Sequence, residues 1–194
     1  SSSALPGIPN ATNTSLPTSD GSECFALLAT ALQPALQAAR AATASTVPSA
    51  HTRRALSIAS SPQVLLLPGV YSGHHNCGQV LDTDLQLVGL GRLPSDVLFD
   101  CGGDATSTPG LIVVSGAVRL ENMAIHNVRN AGSPGGGVLA TGGSLELMRV
   151  ELRNNTALLG GGLCATGGVD SLTVVESDVS ANRAESAGIV ASLC

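Results

Sequence analysis

Residues that could bind a metal ion are concentrated between His74 and Asp104. The carboxylates in this stretch are Asp82, Asp84, Asp96, Asp100 and Asp104. A hard cation such as Ca²⁺ needs several such oxygens to converge on one point, whereas His74-His-Asn-Cys77 offers imidazole and thiolate ligands to a softer metal. The aspartates, however, fall at predicted strand ends and turns, where Asp bonds nearby backbone, and the histidines have no second ligand cluster. The sequence therefore predicts no metal site, no cofactor and no catalytic residue set.

The cysteines and the glycosylation sequons are the other residues with evident chemistry. Five cysteines occur without a C-x-x-C pair, at Cys24, Cys77, Cys101, Cys164 and Cys194. This spacing does not support a zinc or thioredoxin-like site. N-x-[ST] sequons, which accept N-linked glycans in the secretory pathway, begin at Asn10, Asn13 and Asn154. Together these features predict an oxidising, extracellular or cell-surface location, with all five cysteines as disulfide candidates.

An internal repeat of nearly constant length identifies the elements that position these side chains. The units begin at Gly110-Leu-Ile-Val, Gly137-Val-Leu-Ala, Gly162-Leu-Cys-Ala and Gly188-Ile-Val-Ala. Aliphatic residues recur at equivalent places inside the units, for example at Val118, Leu145 and Leu172. A repeat of this length indicates that each unit buries its apolar face only by stacking on the next one. The sequence therefore predicts an all-β solenoid.

One unit shows how the chain turns. Leu145 and Leu147 alternate with Glu146, as in a half-buried strand. A bend at Met148 and Arg149 then shifts the inward–outward alternation of side chains by one residue. The following apolar residues, Val150 and Leu152, therefore also point inward. We expect each coil to consist of short strands joined by such bends.

The strands that open the units carry two apolar columns. Strand alternation points Leu111, Val138, Leu163 and Ile189 inward, and Ile112, Leu139, Cys164 and Val190 outward. An uncovered apolar stripe commonly marks an interaction surface. Ile112, Leu139 and Val190 are therefore predicted to contact a lateral partner; the alternative is that loops of the same chain cover them. Cys164 could pack there as a small hydrophobic residue.

Asn155 and Asn182 occupy equivalent places just before a predicted Gly-rich turn. Asparagine tolerates left-handed backbone geometry and can bond backbone groups of its own and adjacent coils. We therefore expect an asparagine ladder at this bend. Stacking also bears on the cysteines, because Cys77 and Cys101 are separated along the chain by close to one coil, which would bring the thiols within bridging distance. A bond from Cys24 to Cys77 is the alternative.

The chain divides into three predicted regions. Residues 1–22 are rich in Ser, Thr, Pro and Asn and are predicted to be a flexible lead. Residues 23–61 are predicted to form a helical cap and connector, because Phe25, Leu28, Leu32, Leu36 and Ala39 recur at helical spacing. Such a cap would cover the apolar end of the first coil. Residues 62–194 are predicted to form the solenoid, which we expect to continue beyond the C-terminus, because no polar capping segment ends the last unit.

Four segments in the first coils carry a resemblance to a known superfamily. They are Leu65-Leu-Leu-Pro-Gly-Val-Tyr71, Asp84-Leu-Gln-Leu-Val-Gly-Leu-Gly91, Val97-Leu-Phe-Asp100 and Val118-Arg-Leu-Glu-Asn-Met-Ala-Ile-His-Asn127. Their order resembles the opening coils of right-handed parallel β-helices of the pectin lyase-like superfamily. The resemblance implies a right-handed parallel β-helix. It leaves function open, since that superfamily contains lyases, hydrolases, adhesins and structural spikes.

The later units carry a narrower resemblance. The segments are Gly135-Gly-Gly-Val-Leu139, Gly160-Gly-Gly-Leu-Cys164, Leu152-Arg-Asn-Asn155 and Val179-Ser-Ala-Asn182. They resemble the paired GGA[IVL] and FxxN repeats of polymorphic outer-membrane-type surface proteins, with Gly at the Ala position and Leu or Val at the Phe position. This resemblance implies display at a cell surface.

Composition excludes several classes of partner. The formal net charge is −5, so no basic footprint for nucleic acid exists. Only Phe25, Tyr71 and Phe99 are aromatic, which disfavours a sugar-stacking platform. The sequence contains no apolar run long enough to cross a bilayer, so no transmembrane segment is predicted.

These observations favour a non-enzymatic module of an extracellular or cell-surface glycoprotein, such as a fibre, appendage or matrix component. It would act by lateral or self-association with other subunits or with further domains of the same protein. Extracellular glycans are a less favoured partner. The alternative is a polysaccharide lyase or glycoside hydrolase of the pectin lyase-like superfamily, with its active site on later coils.

Overall fold

The computed structural model describes residues 14–17, 23–27, 36–38, 40–41, 61–102 and 108–186. Within these ranges the chain forms a parallel β-solenoid of about 4 turns, which confirms the predicted fold class. The strands are β1 (Thr14–Pro17), β2 (Glu23–Leu27), β3 (Gln63–Leu66), β4 (Gly69–Ser72), β5 (Gln79–Leu81), β6 (Leu85–Gly89), β7 (Val97–Asp100), β8 (Leu111–Val113), β9 (Ala117–His126), β10 (Arg129–Pro134), β11 (Val138–Ala140), β12 (Gly143–Arg153), β13 (Thr156–Leu159), β14 (Leu163–Ala165), β15 (Val169–Val175), β16 (Asp178–Ser180) and β17 (Arg183–Ala184). A 3₁₀ turn spans Pro94–Asp96.

Successive coils contribute strands to three sheets. The largest follows the order β1-β2-β3-β6-β9-β12-β15, with β4, β7 and β16 paired beside it. The second sheet is β5-β8-β11-β14 and the third is β10-β13-β17. The pairing of β1 with β2 is antiparallel, whereas the pairings between successive coils are parallel. Each coil therefore repeats the path of the coil before it.

Strand register confirms the repeat in the later coils. Val118 aligns with Leu145, and Leu145 aligns with Leu172. The inward residues that open the units align in the same way, with Leu111, Val138 and Leu163 adjacent to one another and fully buried. Aliphatic residues at equivalent repeat positions therefore form continuous columns through the core.

The first coils share these columns but not the constant spacing. Val64 aligns with Leu87, and Leu87 aligns with Leu120. Val64 and Leu87 are closer together in the sequence than Val118 and Leu145 are, whereas Leu87 and Leu120 are farther apart. The difference lies in the turns, which vary in length without shifting the strands out of alignment. For this reason the repeat is visible in the sequence only from Gly110 onward.

Two aromatic residues fill the core of the early coils. Tyr71 and Phe99 are aligned in β4 and β7, and their rings stack with centroids 5.0 Å apart. Both are fully buried. The Tyr71 hydroxyl donates a hydrogen bond to the Leu67 carbonyl at 2.8 Å, and burial raises the pKa of Tyr71 to about 12. The phenol therefore stays neutral and acts as a buried donor.

Two columns of left-handed residues make the bends. The first contains Asn122, Arg149 and Glu176, with φ between 50° and 53°, and the second contains Asn127, Asn154 and Ala181, with φ between 53° and 62°. The predicted bend at Arg149 is confirmed. We expected left-handed backbone at Asn155 and Asn182, but it lies at the preceding residues, Asn154 and Ala181. The side chains of Asn155 and Asn182 therefore point inward.

We expect Ala181→Asn to raise the free energy of unfolding by about 0.5–1 kcal/mol, because Asn tolerates the left-handed region better than Ala. Urea unfolding measures the change. Ala117→Asn is the matched control, because Ala117 lies in β9 without a positive φ, and should give no gain. Equal shifts in the two variants would show that the backbone at Ala181 is not strained.

The expected asparagine ladder is present. The Asn155 amide accepts a hydrogen bond from the Val128 N–H at 3.0 Å and donates to the Ile125 carbonyl at 2.9 Å. Asn182 repeats the pattern one coil later, accepting from the Asn155 N–H at 3.0 Å and donating to the Leu152 carbonyl at 2.8 Å. Each side chain thus satisfies backbone groups of the preceding coil where the strands are interrupted.

The N-terminal region departs from the predicted helix. Glu23–Leu27 forms strand β2, which pairs in parallel with β3, and Thr14–Pro17 in the predicted flexible lead pairs with β2. The exposed edge of β3 offers a complete row of backbone partners, which overrides local helix propensity. Helical conformation is found at 36–38 and 40–41. Leu36 is buried in the core cluster, and residues 28–35, 39 and 42–60 of the predicted cap and connector lie outside the described residues.

Candidate functional site

The outer face of the second sheet presents a straight apolar column. Val80, Ile112, Leu139 and Cys164 are aligned on β5, β8, β11 and β14. Val80 is 38% exposed, and Ile112 and Leu139 are half-buried. The predicted outward orientation of Ile112 and Leu139 is therefore confirmed, while Val190 lies outside the described residues. We call Val80, Ile112 and Leu139 the aliphatic stripe.

The two ends of this column differ from the sequence-based prediction. Val80 was not predicted, because the chain between Val80 and Ile112 is longer than one repeat of the later coils, and only the tertiary register reveals the alignment. Cys164 was expected to share the exposed stripe but is 2% exposed, and its thiol is engaged in a disulfide. The described accessible stripe therefore ends at Leu139.

A cross-strand ion-pair network covers part of the largest sheet. Arg119 contacts Glu121 at 2.9 Å and Glu146 at 3.8 Å, and Arg149 contacts Glu121 at 2.7 Å. Pairs of this kind on adjacent strands stabilise the sheet slightly and favour the native register. Their charges are neutralised within the chain. This face therefore has little net charge to attract a partner.

A second network lies on the neighbouring half of the same sheet. Glu151 contacts the His126 imidazole at 3.0 Å and the Arg153 guanidinium at 3.4 Å, and Arg153 also bonds Asp178. The hydrogen bond from Arg153 lowers the pKa of Asp178. The carboxylate is therefore held in its ionised form as an ion-pair partner and is not adapted for proton transfer near neutral pH.

A shallow polar groove of about 660 Å³ crosses the bends beside the third sheet. Its lining includes Asp100, Asn127, Arg129, Asn154, Thr156 and Arg183. The Asp100 carboxylate accepts hydrogen bonds from the Gly102 N–H at 3.2 Å and from Asn127 Nδ2 at 3.0 Å. Three of the lining residues, Asp100, Gly102 and Asn127, thus bond one another.

The sequon at Asn154 opens onto this groove. Asn154 is exposed and Thr156 is half-buried, so the Asn154 side chain is accessible for modification. A glycan here would occupy the groove and would keep this flank from packing closely against a partner. Asn10 and Asn13 lie outside the described residues.

Of the remaining aspartates, Asp96 bonds backbone of its own turn, as predicted, whereas Asp84 and Asp82 bond groups that are distant in the sequence. Asp84 accepts the Ala117 N–H at 2.8 Å, Asp96 accepts the Arg92 N–H at 2.7 Å, and Asp82 pairs with Arg40 at 2.6 Å. Asp104 lies outside the described residues. Within the described part of the chain, no group of three His, Cys, Asp or Glu side chains is placed to hold a metal ion.

The cysteines near the His74-His-Asn-Cys77 turn form a structural bridge. Cys77 and Cys101 form a disulfide with their Cα atoms 5.8 Å apart. The predicted bond between Cys77 and Cys101 on adjacent coils is therefore confirmed. The alternative prediction, a bond from Cys24 to Cys77, is wrong. The bridge joins the turn that contains His74 and His75 to the residue after β7. The two histidine rings lie 3.8 Å apart.

Comparison with known proteins gives no relative for this chain: no family, curated protein or solved structure matches it significantly. The described residues include no helix with the length and apolar character needed to span a bilayer. Membership of the pectin lyase-like superfamily stays a prediction.

Proposed function

We propose that this chain is a non-enzymatic structural or adhesive module of an extracellular or cell-surface glycoprotein, acting by lateral association through the aliphatic stripe. The observation that carries the proposal is the alignment of Val80, Ile112 and Leu139 on three adjacent parallel strands. Apolar side chains presented in a straight row on a rigid sheet form a surface that a partner can bury without reordering the chain.

Two further features support this proposal. Regular backbone hydrogen bonds join the coils, such as Leu111 N–H to the Gly137 carbonyl at 3.0 Å and Val138 N–H to the Gly162 carbonyl at 2.9 Å. This gives the stiffness that a fibre or surface layer requires. Arg119, Glu121 and Arg149 of the largest sheet are paired within the chain, which favours apolar contact as the means of association. The resemblance to polymorphic outer-membrane-type repeats is in keeping with display at a surface.

Removal of the stripe tests the proposal. We expect Ile112→Ser with Leu139→Ser to weaken self-association or partner binding at least about tenfold, because each change removes buried apolar area worth more than about 1 kcal/mol. Sedimentation velocity across a concentration series measures association. Val80→Ser should also weaken it, whereas Leu158→Ser, equally exposed at 38% but on the third sheet, should not. Equal effects of Val80→Ser and Leu158→Ser would refute a stripe-specific interface.

The polar groove favours a second candidate, a polysaccharide lyase or glycoside hydrolase of the pectin lyase-like superfamily. Arg129 and Arg183 line the groove two coils apart on aligned strands, and neither has an ion-pair partner among the described residues. An assay on polygalacturonate and alginate, with and without Ca²⁺, distinguishes the two functions. Product formation that is lost in Arg129→Ala would establish the enzyme and overturn the structural proposal.

A further inference from the structure

A loop replaces one of the tight bends of the solenoid. In the later coils a single left-handed residue makes this bend, whereas residues 90–96 separate β6 from β7. Val88 aligns with Glu121, and Leu98 aligns with Ala124, so residues 90–96 have no counterpart in the coil that contains β9. We call them the insertion loop. Insertions into single repeats of a solenoid often form its binding surface.

Hydrogen bonds hold the backbone of the insertion loop in one conformation. The Asp96 carboxylate accepts from the Arg92 N–H at 2.7 Å and from the Leu93 N–H at 3.0 Å. The buried Asn122 amide donates to the Gly91 carbonyl at 2.7 Å. A Cβ at Gly91 would lie 2.4 Å from the Asp96 Cβ, so the loop is also closely packed. The loop is therefore ordered before any partner binds, which lowers the entropy cost of association.

The side chains of this ordered loop point into solvent. Leu93 is 61% exposed and Leu90 is also exposed. Arg92 is exposed between them, and its guanidinium has no ion-pair partner within the described ranges. Single exposed leucines are common on protein surfaces. An ordered loop that presents two leucines and an unpaired arginine together has the composition of a contact site.

The aliphatic stripe is complementary to this loop in both polarity and charge. It begins at Val80, beside the corner formed by residues 82–84, where Asp82 and Asp84 are exposed. Asp82 is paired with Arg40, whereas Asp84 has no ion-pair partner among the residues that the structure describes. The stripe therefore presents apolar side chains next to an unpaired carboxylate, as the loop presents them next to an unpaired guanidinium.

We propose that the insertion loop of one copy of this chain docks on the aliphatic stripe of a second copy. The two surfaces cannot meet within one chain, because β6 lies between them and its 5 residues span about 17 Å. The net charge of −5 makes copies repel one another, which favours a contact that joins a basic loop to an acidic corner. This inference rests on the proposed function, since it names the partner that the stripe binds.

Docking of this kind determines the form of the assembly. The loop and the stripe are different surfaces, so each copy offers one of each and the contact is heterologous. A heterologous contact repeats from copy to copy and gives an open filament, or a ring where the rotation closes. A stripe that paired with the same stripe would stop at a dimer.

Complementary variants test the docking. The loop variant carries Leu90→Ser with Leu93→Ser, and the stripe variant carries Ile112→Ser with Leu139→Ser. We expect each variant alone to self-associate at least about tenfold more weakly than the wild type. An equimolar mixture should form a 1:1 complex, because one variant keeps the loop and the other keeps the stripe. Sedimentation velocity measures association, and circular dichroism establishes that each variant is folded.

The outcomes separate this inference from the proposed function. A weakened stripe variant with a loop variant that associates like the wild type would overturn the docking and leave the stripe as the interface. Two weakened variants whose mixture stays monomeric would also overturn the docking. A monomeric wild type would leave only association with a different partner. If neither variant is weakened, the docking and the stripe interface both fail.

Single substitutions provide the matched control. Val70 lies on β4, outside both surfaces, and at 58% it is exposed to nearly the same extent as Leu93. We expect Leu93→Ser to weaken self-association by about threefold to tenfold and Val70→Ser to leave it unchanged. Equal effects of the two substitutions would show that exposed apolar area in general, and not the insertion loop, drives association.

Discussion

Gly136→Ala is expected to prevent stable folding of the solenoid, or to lower the free energy of unfolding by at least about 4 kcal/mol. A Cβ atom at this position would lie 1.8 Å from the Gly161 carbonyl oxygen on the next coil. Neither group can move aside easily, because Gly136 N–H donates to the Gly160 carbonyl at 3.1 Å and Gly137 N–H donates to the Gly161 carbonyl at 3.1 Å. Relief of the clash would separate the two coils and break the hydrogen bonds between them.

The control for this substitution is Gly132→Ala. A Cβ at Gly132 has no neighbour within 4 Å, and its φ is not in the left-handed region, so we expect a change within about 0.5 kcal/mol. Circular dichroism during urea unfolding measures both variants against the wild type. Equal unfolding midpoints for Gly136→Ala and Gly132→Ala would show that the coils are not packed as closely as the structure has them.

Asn155→Ala is expected to lower the free energy of unfolding by about 3–5 kcal/mol. Asn155 is fully buried, and its amide bonds the Val128 N–H and the Ile125 carbonyl. Without that amide, both backbone groups remain buried with no partner, and each costs about 1–3 kcal/mol. Ala also leaves a small cavity at the centre of the bend.

Two neighbouring asparagines make this prediction specific. Asn182→Ala removes the same pair of bonds at a more accessible position, 9% exposed, where water can replace part of the interaction. We therefore expect Asn182→Ala to lower the free energy of unfolding by about half as much as Asn155→Ala does. Asn154→Gly, at an exposed left-handed residue, should change stability by less than about 0.5 kcal/mol in unglycosylated protein. Hydrogen exchange at the Val128 amide should accelerate only in Asn155→Ala. Unchanged exchange there would argue against the ladder.

These two predictions concern the property on which the proposed function depends. Close glycine contacts and the asparagine ladder hold successive coils in one register, and this register aligns Val80, Ile112 and Leu139 into a stripe. If either variant folds but loses association, the interface requires coil alignment as well as apolar side chains. A folded variant with full association would place the partner elsewhere.

Much of the solenoid could be predicted because its repeat is local in the sequence. The later coils have nearly constant length, so equivalent residues such as Val118 and Leu145 recur at one spacing and can be assigned to one column. The bend at Arg149 and the ladder at Asn155 follow from the same repeat. The early coils could not be aligned in this way, because turns of unequal length separate Val80 from Ile112.

The sequence by itself determined the solenoid, its inward columns and the outward position of Leu139, because each depends on strand alternation and repeat length. It left two partners open for Cys77, and the structure decided for Cys101 over Cys24. Tertiary structure alone decided that Glu23–Leu27 is a strand, since an open sheet edge outweighs a helical pattern. It also decided that Val80 extends the stripe and that Cys164 is covered. Those features depend on which backbone edges and surfaces become neighbours after the coils stack, and residue spacing carries no information about such neighbours.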